Sequence, residues 1–171
     1  MISRWCADCG LRIVREKTEV IFLTGKRIPK VIETNVEGYL LTTRQEVKYL
    51  GVQLDCNRRF GAHLEKVCGK ADTLTGAFRS LLPNIDGPTG SVRKLNCRVW
   101  ESMVLYATLV WGKVVEIKKN RNILKRAPRA ALTRVSMAYR TASHAALCVL
   151  MGIMPIYFTA ALRTEKYRIG V

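Results

Sequence analysis

The sequence predicts an α+β fold that is mostly α: a helix plus a small antiparallel sheet, then a helical bundle. Three observations carry that expectation. Hydrophobic residues make up 49% of the 171 positions, too many for a chain that stays disordered and enough for a core. Short β-favouring runs broken by Gly and Pro occupy the first third, and from Phe60 onward the apolar spacing lengthens to that of helices. Charge divides at the same place. Residues 1–57 carry nine Lys and Arg against seven Asp and Glu, whereas residues 58–171 carry twenty against six. The formal net charge of +16 points to a polyanionic partner, nucleic acid being the commonest and an anionic membrane its competitor, and most of it sits on the helical part. The bland reading is a solvated basic helix face with no dedicated ligand.

The elements follow in order. Ile2, Trp5, Cys6 and Cys9 are spaced for one face of a helix, and Gly10 suits its end. The chain thus begins inside an element, as a piece of something longer would. Strands are expected over Glu19–Leu23, near Val31–Glu33, over Tyr39–Leu41 and over Val47–Leu54, with a turn from Asn35 to Gly38. Phe60, Leu64, Val67, Ala71, Leu74, Phe78 and Leu81 form a helical stripe that the turn-rich run Pro83 to Gly90 ends. Ser91 is the expected cap of a second helix, striped by Val92, Leu95, Val99, Met103, Tyr106 and Val110, with Gly112 as its bend or stop. A third helix over about Arg121–Tyr139 turns Leu124, Ala127, Ala131 and Val135 inward. Pro128 either kinks it or sits in the first turn of a helix starting near Ala127. A fourth starts at Thr141-Ala142-Ser143 and stops at Gly152. A fifth opens at Pro155 and runs to about Tyr167.

Several chemistries find no footing. No two acidic residues adjoin each other at the four aspartates, so the sequence offers no motif that would gather carboxylates around two metal ions. Neither a P-loop nor a dinucleotide fingerprint occurs. Cys6-x-x-Cys9 is half of a zinc motif, without a second pair, and its cysteines equally fit a buried helix face beside Trp5. Ser143 and His144 are neighbours whose side chains diverge on a helix, so a capping serine and a packed or surface histidine are expected there. His63 falls within the basic helix that begins at Phe60. No long apolar run precedes the first strand. The run from Ala145 to Phe158 is broken by Gly152 and Pro155 and is too short to span a bilayer, so no membrane partner is expected. Six scattered cysteines without secretory features point to reduced thiols inside a cell.

Seven strings then occur in a telling order: W-C-x-x-C-G-L, K-T-E-V-I-F-L, V-K-Y-L-G-V-Q-L-D, L-L-P-N-x-x-G, V-L-Y-A-x-x-V-W, A-Y-R-T-A-S and A-L-C-V-L-x-G-x-x-P-I. Together they resemble insect non-LTR retrotransposon reverse transcriptases of the site-specific, type-one kind, over nearly the whole chain. The resemblance starts after the family's catalytic F/Y-x-D-D hairpin and ends before its terminal cysteine–histidine knuckle. Where family members read L-L-Y-G, this chain has Val104-Leu105-Tyr106-Ala107, a difference expected to leave the helix intact.

The resemblance implies a carboxy-terminal palm and thumb fragment of an RNA-directed DNA polymerase. Residues 1–57 would be a palm remnant with a primer-grip-like hairpin, 58–141 a basic thumb and 142–171 a helical linker segment. Lys17 would lie near the leaving pyrophosphate, where a cation stabilises the departing oxyanion. Its bland reading is a solvent-facing lysine at a strand entry. Val47–Leu54 would press the primer terminus, with Lys48 adding charge, Tyr49 a flat face and Gly51 close approach. The bland reading is an ordinary strand with Tyr49 half-buried. Lys118, Lys119, Arg121, Lys125, Arg126, Arg129 and Arg134 would touch phosphates without reading bases. Tyr139-Arg140-Thr141 is a family signature in which Arg140 would cap carbonyls at a helix end. The expected partners are an RNA–DNA hybrid, or a DNA or RNA backbone, and the rest of the reverse transcriptase. The expected localisation is intracellular, and nuclear for an intact element. No cofactor is expected in this chain; magnesium would belong to the intact parent enzyme. The rival expectations are a free-standing nucleic-acid-binding or interaction module and a decayed copy.

Overall fold

The computed structural model describes residues 2–12, 14–23, 31–36, 38–78, 90–136 and 138–170; the side chains of Ile2, Ser3, Arg15, Phe78, Arg93 and Arg134 lie outside that description. The chain divides into two compact units, 1–58 and 59–171.

The first unit opens with helix α1 (Ile2–Asp8). Gly10, at φ 69°, ends it as expected: its N–H donates to the Ala7 carbonyl at 3.0 Å and the Leu11 N–H to the Cys6 carbonyl at 2.8 Å. The buried face expected here does not form. Trp5 is 62% exposed and Cys9 is exposed, because two turns of helix are too short to enclose a stripe of their own. The strand expected over Glu19–Leu23 is also absent. That stretch makes a single parallel bridge, Ile21 with Arg44, and the Arg44 N–H donates to the Val20 carbonyl. An extended run becomes a strand only when a partner run lies along its edge, and here the partner is one residue.

The remaining extended segments form two separate hairpins, in place of the one small sheet expected. β1 (Glu33–Val36) pairs antiparallel with β2 (Tyr39–Thr42), from Glu33 opposite Thr42 to Val36 opposite Tyr39. β1 thus starts two residues beyond the start expected from Val31, and its turn is fixed by Asn35 Oδ1, which accepts from the Gly38 N–H at 2.8 Å. β3 (Glu46–Tyr49) pairs antiparallel with β4 (Val52–Asp55), so Val47–Leu54 is a hairpin and not one strand. Leu50 and Gly51 reverse the chain at φ 45° and 85°, the signs of a type I′ turn.

The second unit is helical. α2 (Gly61–Phe78) buries Leu64 and Ala71 as expected, with Phe60 just before it, and Cys68 joins them. Leu81 and 83–89 of the expected turn lie outside the described residues. α3 (Gly90–Val104) already includes Ser91, which is therefore not its cap. The stripe expected on α3 is rotated. Leu95, Tyr106 and Val110 are exposed, while Cys97, Trp100, Val104, Leu105 and Trp111 are buried. The two tryptophans carry the most apolar area, so they claim the interior and turn the face by about one residue. Each also satisfies its indole N–H: Trp100 donates to Asp72 Oδ1 at 2.8 Å and Trp111 to the Tyr106 carbonyl at 2.9 Å.

The helix expected to continue to Gly112 breaks earlier. Ala107 adopts φ 52° and ψ 29°, the left-handed region, at the position where the resemblance noted glycine. The difference is therefore not neutral: a Cβ there strains a turn that glycine would take freely. α4 (Thr108–Trp111) and a 3-10 turn (Gly112–Glu116) follow. At Gly112 the last helix comes close; a Cβ would sit 1.9 Å from Thr164 Oγ1.

α5 (Lys118–Ser136) begins three residues before the start expected at Arg121 and runs through Pro128, so the start near Ala127 is not used. α6 (His144–Met151) has Ser143 as its cap, whose Oγ accepts from the Ala146 N–H, and Gly152 at φ 61° as its stop. α7 (Ile156–Ile169) follows Pro155. Trp111, Leu64, Leu124, Leu147 and Val104 are the largest fully buried apolar side chains among the described residues. Cys97, Leu132, Leu147, Cys148 and Met151 form one cluster, backed by Val135, Ala138, Ala142 and Ile153. Among the described residues no single helix is long and apolar enough to cross a membrane; α6 and α7 pass only as a pair bent by 70°.

Two substitutions test this geometry by urea denaturation. Ala107→Gly raises stability by about 1 kcal/mol, the cost of the left-handed turn. Gly112→Ala lowers it by roughly 2 kcal/mol through overpacking against Thr164.

Candidate nucleic-acid interface

The residues expected to meet nucleic acid fall into two sets, one in each unit. In the first, Lys17 closes a 3-10 turn (Arg15–Lys17) and is exposed, with its N–H on the Val14 carbonyl at 3.1 Å. Lys48 stands exposed on β3 opposite Gln53. Tyr49 is 63% exposed, not half-buried, and borders the turn. Gly51 fills the second turn position. The hairpin therefore carries an exposed cation, an aromatic ring and a tight turn at one end.

The second set is one helix, and a buried amide orients it. Asn120, third residue of α5, is 2% exposed. Its Nδ2 donates to the Arg59 carbonyl at 2.8 Å and to the Val114 carbonyl at 3.1 Å. Asn120, Leu124, Pro128 and Leu132 follow at intervals of four along the inward face. The rest of the helix surface is left outside the core, and Lys118, Lys119, Arg121, Lys125, Arg126 and Arg129, spread along its flanks and outer face, are all exposed. None of the six is ion-paired with a carboxylate of a described residue. Arg134 lies on the same helix.

Local contacts hold several of these cations. Arg121 Cζ lies 5.4 Å and Lys125 Nζ 5.5 Å from the centroid of the Tyr157 ring on α7. Arg129 donates through Nη2 to the Arg140 carbonyl at 2.8 Å. This reverses the expectation for Arg140. Its carbonyl accepts from α5, and the hydrogen-bonding guanidinium is that of Arg129. His144 packs 6.4 Å from Tyr157, and its imidazole is held below the ordinary range by burial first and then by Lys125 and Arg129. His63 is buried, 6.3 Å from Trp111, and burial lowers it as well. An open groove of about 890 Å³ is lined by Lys113, Arg121, Tyr157 and Arg168 and also by Glu116 and Glu165, the last paired with Arg168.

Sequence reasoning missed Tyr157 and His144. Neither carries a local signal, since each meets the cations across helices far apart in sequence. Among the described residues no three His, Cys, Asp or Glu side chains gather as a metal site. Cys68 is pushed up to about 12 by burial and by Asp72, and burial also raises Cys97 and Cys148, so these thiols are not reactive thiolates.

With this geometry in view, known proteins offer two likenesses. The chain is 28% identical to a retrovirus-related Pol polyprotein from a type-1 retrotransposable element of Nasonia vitripennis, over 96% of this chain and 46% of that protein. It is 25% identical to a 115 kDa protein in a type-1 retrotransposable element of Drosophila melanogaster, over 99% of this chain and 17% of that protein. By this likeness the chain is retrotransposon-derived, of the non-LTR kind. It spans less than half the length of each of these relatives. No protein-family model and no solved structure matches it.

Two predictions follow for stability. Asn120→Ala leaves two carbonyls without their donor and costs about 2–4 kcal/mol in urea unfolding. Both histidines are lowered from 6.5, so the unfolded chain binds more protons than the folded one as pH falls below that value. The urea midpoint therefore stays high above about pH 6.5 and drops on acidification. In His63→Phe the drop is smaller.

Proposed function

We propose that this chain is a palm and thumb segment of a retrotransposon reverse transcriptase, and that it grips the template–primer duplex during target-primed reverse transcription. The observation that carries the reading is the outer surface of α5, six exposed cations with no carboxylate of a described residue paired to them. Unpaired cations fixed on a rigid helix release condensed counterions when they meet sugar–phosphate, and they hold a duplex without reading its bases. The exposed tip of the β3–β4 hairpin supports the primer-grip part, since Tyr49 and the tight turn at Gly51 offer a flat face and close backbone approach. In this reading nucleotidyl transfer belongs to other parts of the longer protein, and Lys17 stands as the cation offered to a leaving group.

Filter binding of the isolated chain to an RNA–DNA hybrid across a salt series tests it. Affinity falls steeply with salt, and Lys118→Gln, Lys119→Gln and Arg126→Gln together flatten the log–log slope by about two units. Binding indifferent to salt would refute the grip. The pure chain extends no primer with any divalent metal; template-dependent incorporation would show that the reading is incomplete.

A further inference from the structure

The cations of α5 are not equivalent. Lys118, Lys119 and Arg126 are exposed, whereas Arg121 and Lys125, one helical turn apart, both reach the ring of Tyr157. His144 approaches that ring from α6 at 6.4 Å, and Arg129, one more turn along α5, is held by the Arg140 carbonyl. Groups that bear or accept positive charge therefore converge on one aromatic side chain from two helices. Glu116 and Glu165 line the same groove as Arg121 and Tyr157, Glu165 being paired with Arg168, but no carboxylate of a described residue is ion-paired with Arg121, Lys125 or Arg129. Gathering these cations is unfavourable, and a bound anion relieves it.

We propose that Arg121, Lys125, His144 and Tyr157, with Arg129 beside them, form one seat for a backbone phosphate of a nucleic-acid strand, and that His144 takes up a proton as the phosphate binds. The proposal rests on the phosphate-gripping reading above and goes beyond it by naming the seat and its proton. Tyr157 holds the cations in place, so less side-chain freedom is lost on binding than at a solvated lysine. The groups facing His144 are few. Lys125 and Arg129 come from α5, Tyr157 from α7 and Cys148 from its own helix, with its Sγ 3.7 Å from Nε2. On α3, Cys97 and Glu101 line the same small cavity as His144, and Glu101 is paired with Arg98 at 3.0 Å. In the free chain burial, and after it Lys125 and Arg129, hold the imidazole below its ordinary range and so favour its neutral form. A phosphate placed among them reverses the local field and favours the imidazolium. A phosphodiester does not itself titrate in this range, so the proton marks the histidine.

The test is binding of a short RNA–DNA hybrid to the full chain at constant ionic strength, at about pH 6 and about pH 7.5. The hybrid binds roughly threefold to tenfold tighter at the lower pH, and in His144→Gln that difference disappears while binding persists. A wild-type affinity indifferent to pH, or a dependence that survives His144→Gln, overturns the proposal. The His144 imidazole resonances give a readout on the unaltered chain: the hybrid moves them toward the protonated form, and an unmoved signal is a refutation. Inorganic phosphate at matched ionic strength moves them less; an equal movement would assign the seat to free phosphate and not to a strand. Salt-sensitive binding with no pH effect sinks this inference alone, whereas salt-indifferent binding sinks the grip as well.

Discussion

The helical unit depends on one buried amide. Asn120 places two N–H donors on the carbonyls of Arg59 and Val114, joining the segment that launches α2 to the 3-10 turn that precedes α5. At 2% exposure it has no water to fall back on, so both bonds must form if the chain is to fold this way. The amide sets the rotation of α5. Once Asn120 faces inward, the residues at intervals of four behind it follow, and the cations are committed to the surface. A neutral polar side chain thus governs where the positive charge points.

The same region shows how electrostatics and packing share the work. Most of the net charge lies in residues 58–171, yet the ion pairs seen among the described residues leave the α5 cations alone. Self-repulsion along that face weakens the compact state, and the apolar cores on either side of α5 offset it. Leu124 belongs to the fully buried set with Trp111 and Leu64, and Leu132 to the cluster with Leu147 and Met151. Stability given up on one face of a helix is recovered on the other.

Much of the fold was legible. Period and punctuation found the long helices, and local rules found Gly10, Ser143, Gly152 and Pro155 as starts and stops. Three failures share a cause. The strand expected over Glu19–Leu23 needed a partner run that sequence does not display. The stripe expected on α3 was turned because both tryptophans reach the interior. The break at Ala107 occurs at a residue with high helix propensity, where local preference is overruled by the packing of Trp111 and the approach of α7 to Gly112. The family resemblance had marked that position as different, and its meaning became visible only through the backbone angle. Of the candidate interface, the six described cations of α5 were readable as a list; Tyr157 and His144 were not.

Sequence by itself determined the class of the molecule. A chain this basic, with its charge concentrated where the apolar period is helical, has to present a cationic helical surface, because charge and periodicity are properties of residue order. The tertiary structure decided which cations stand alone and which are gathered. That depends on α6 and α7 bringing His144 and Tyr157 against α5, and contacts between residues far apart in sequence are fixed by how helices pack.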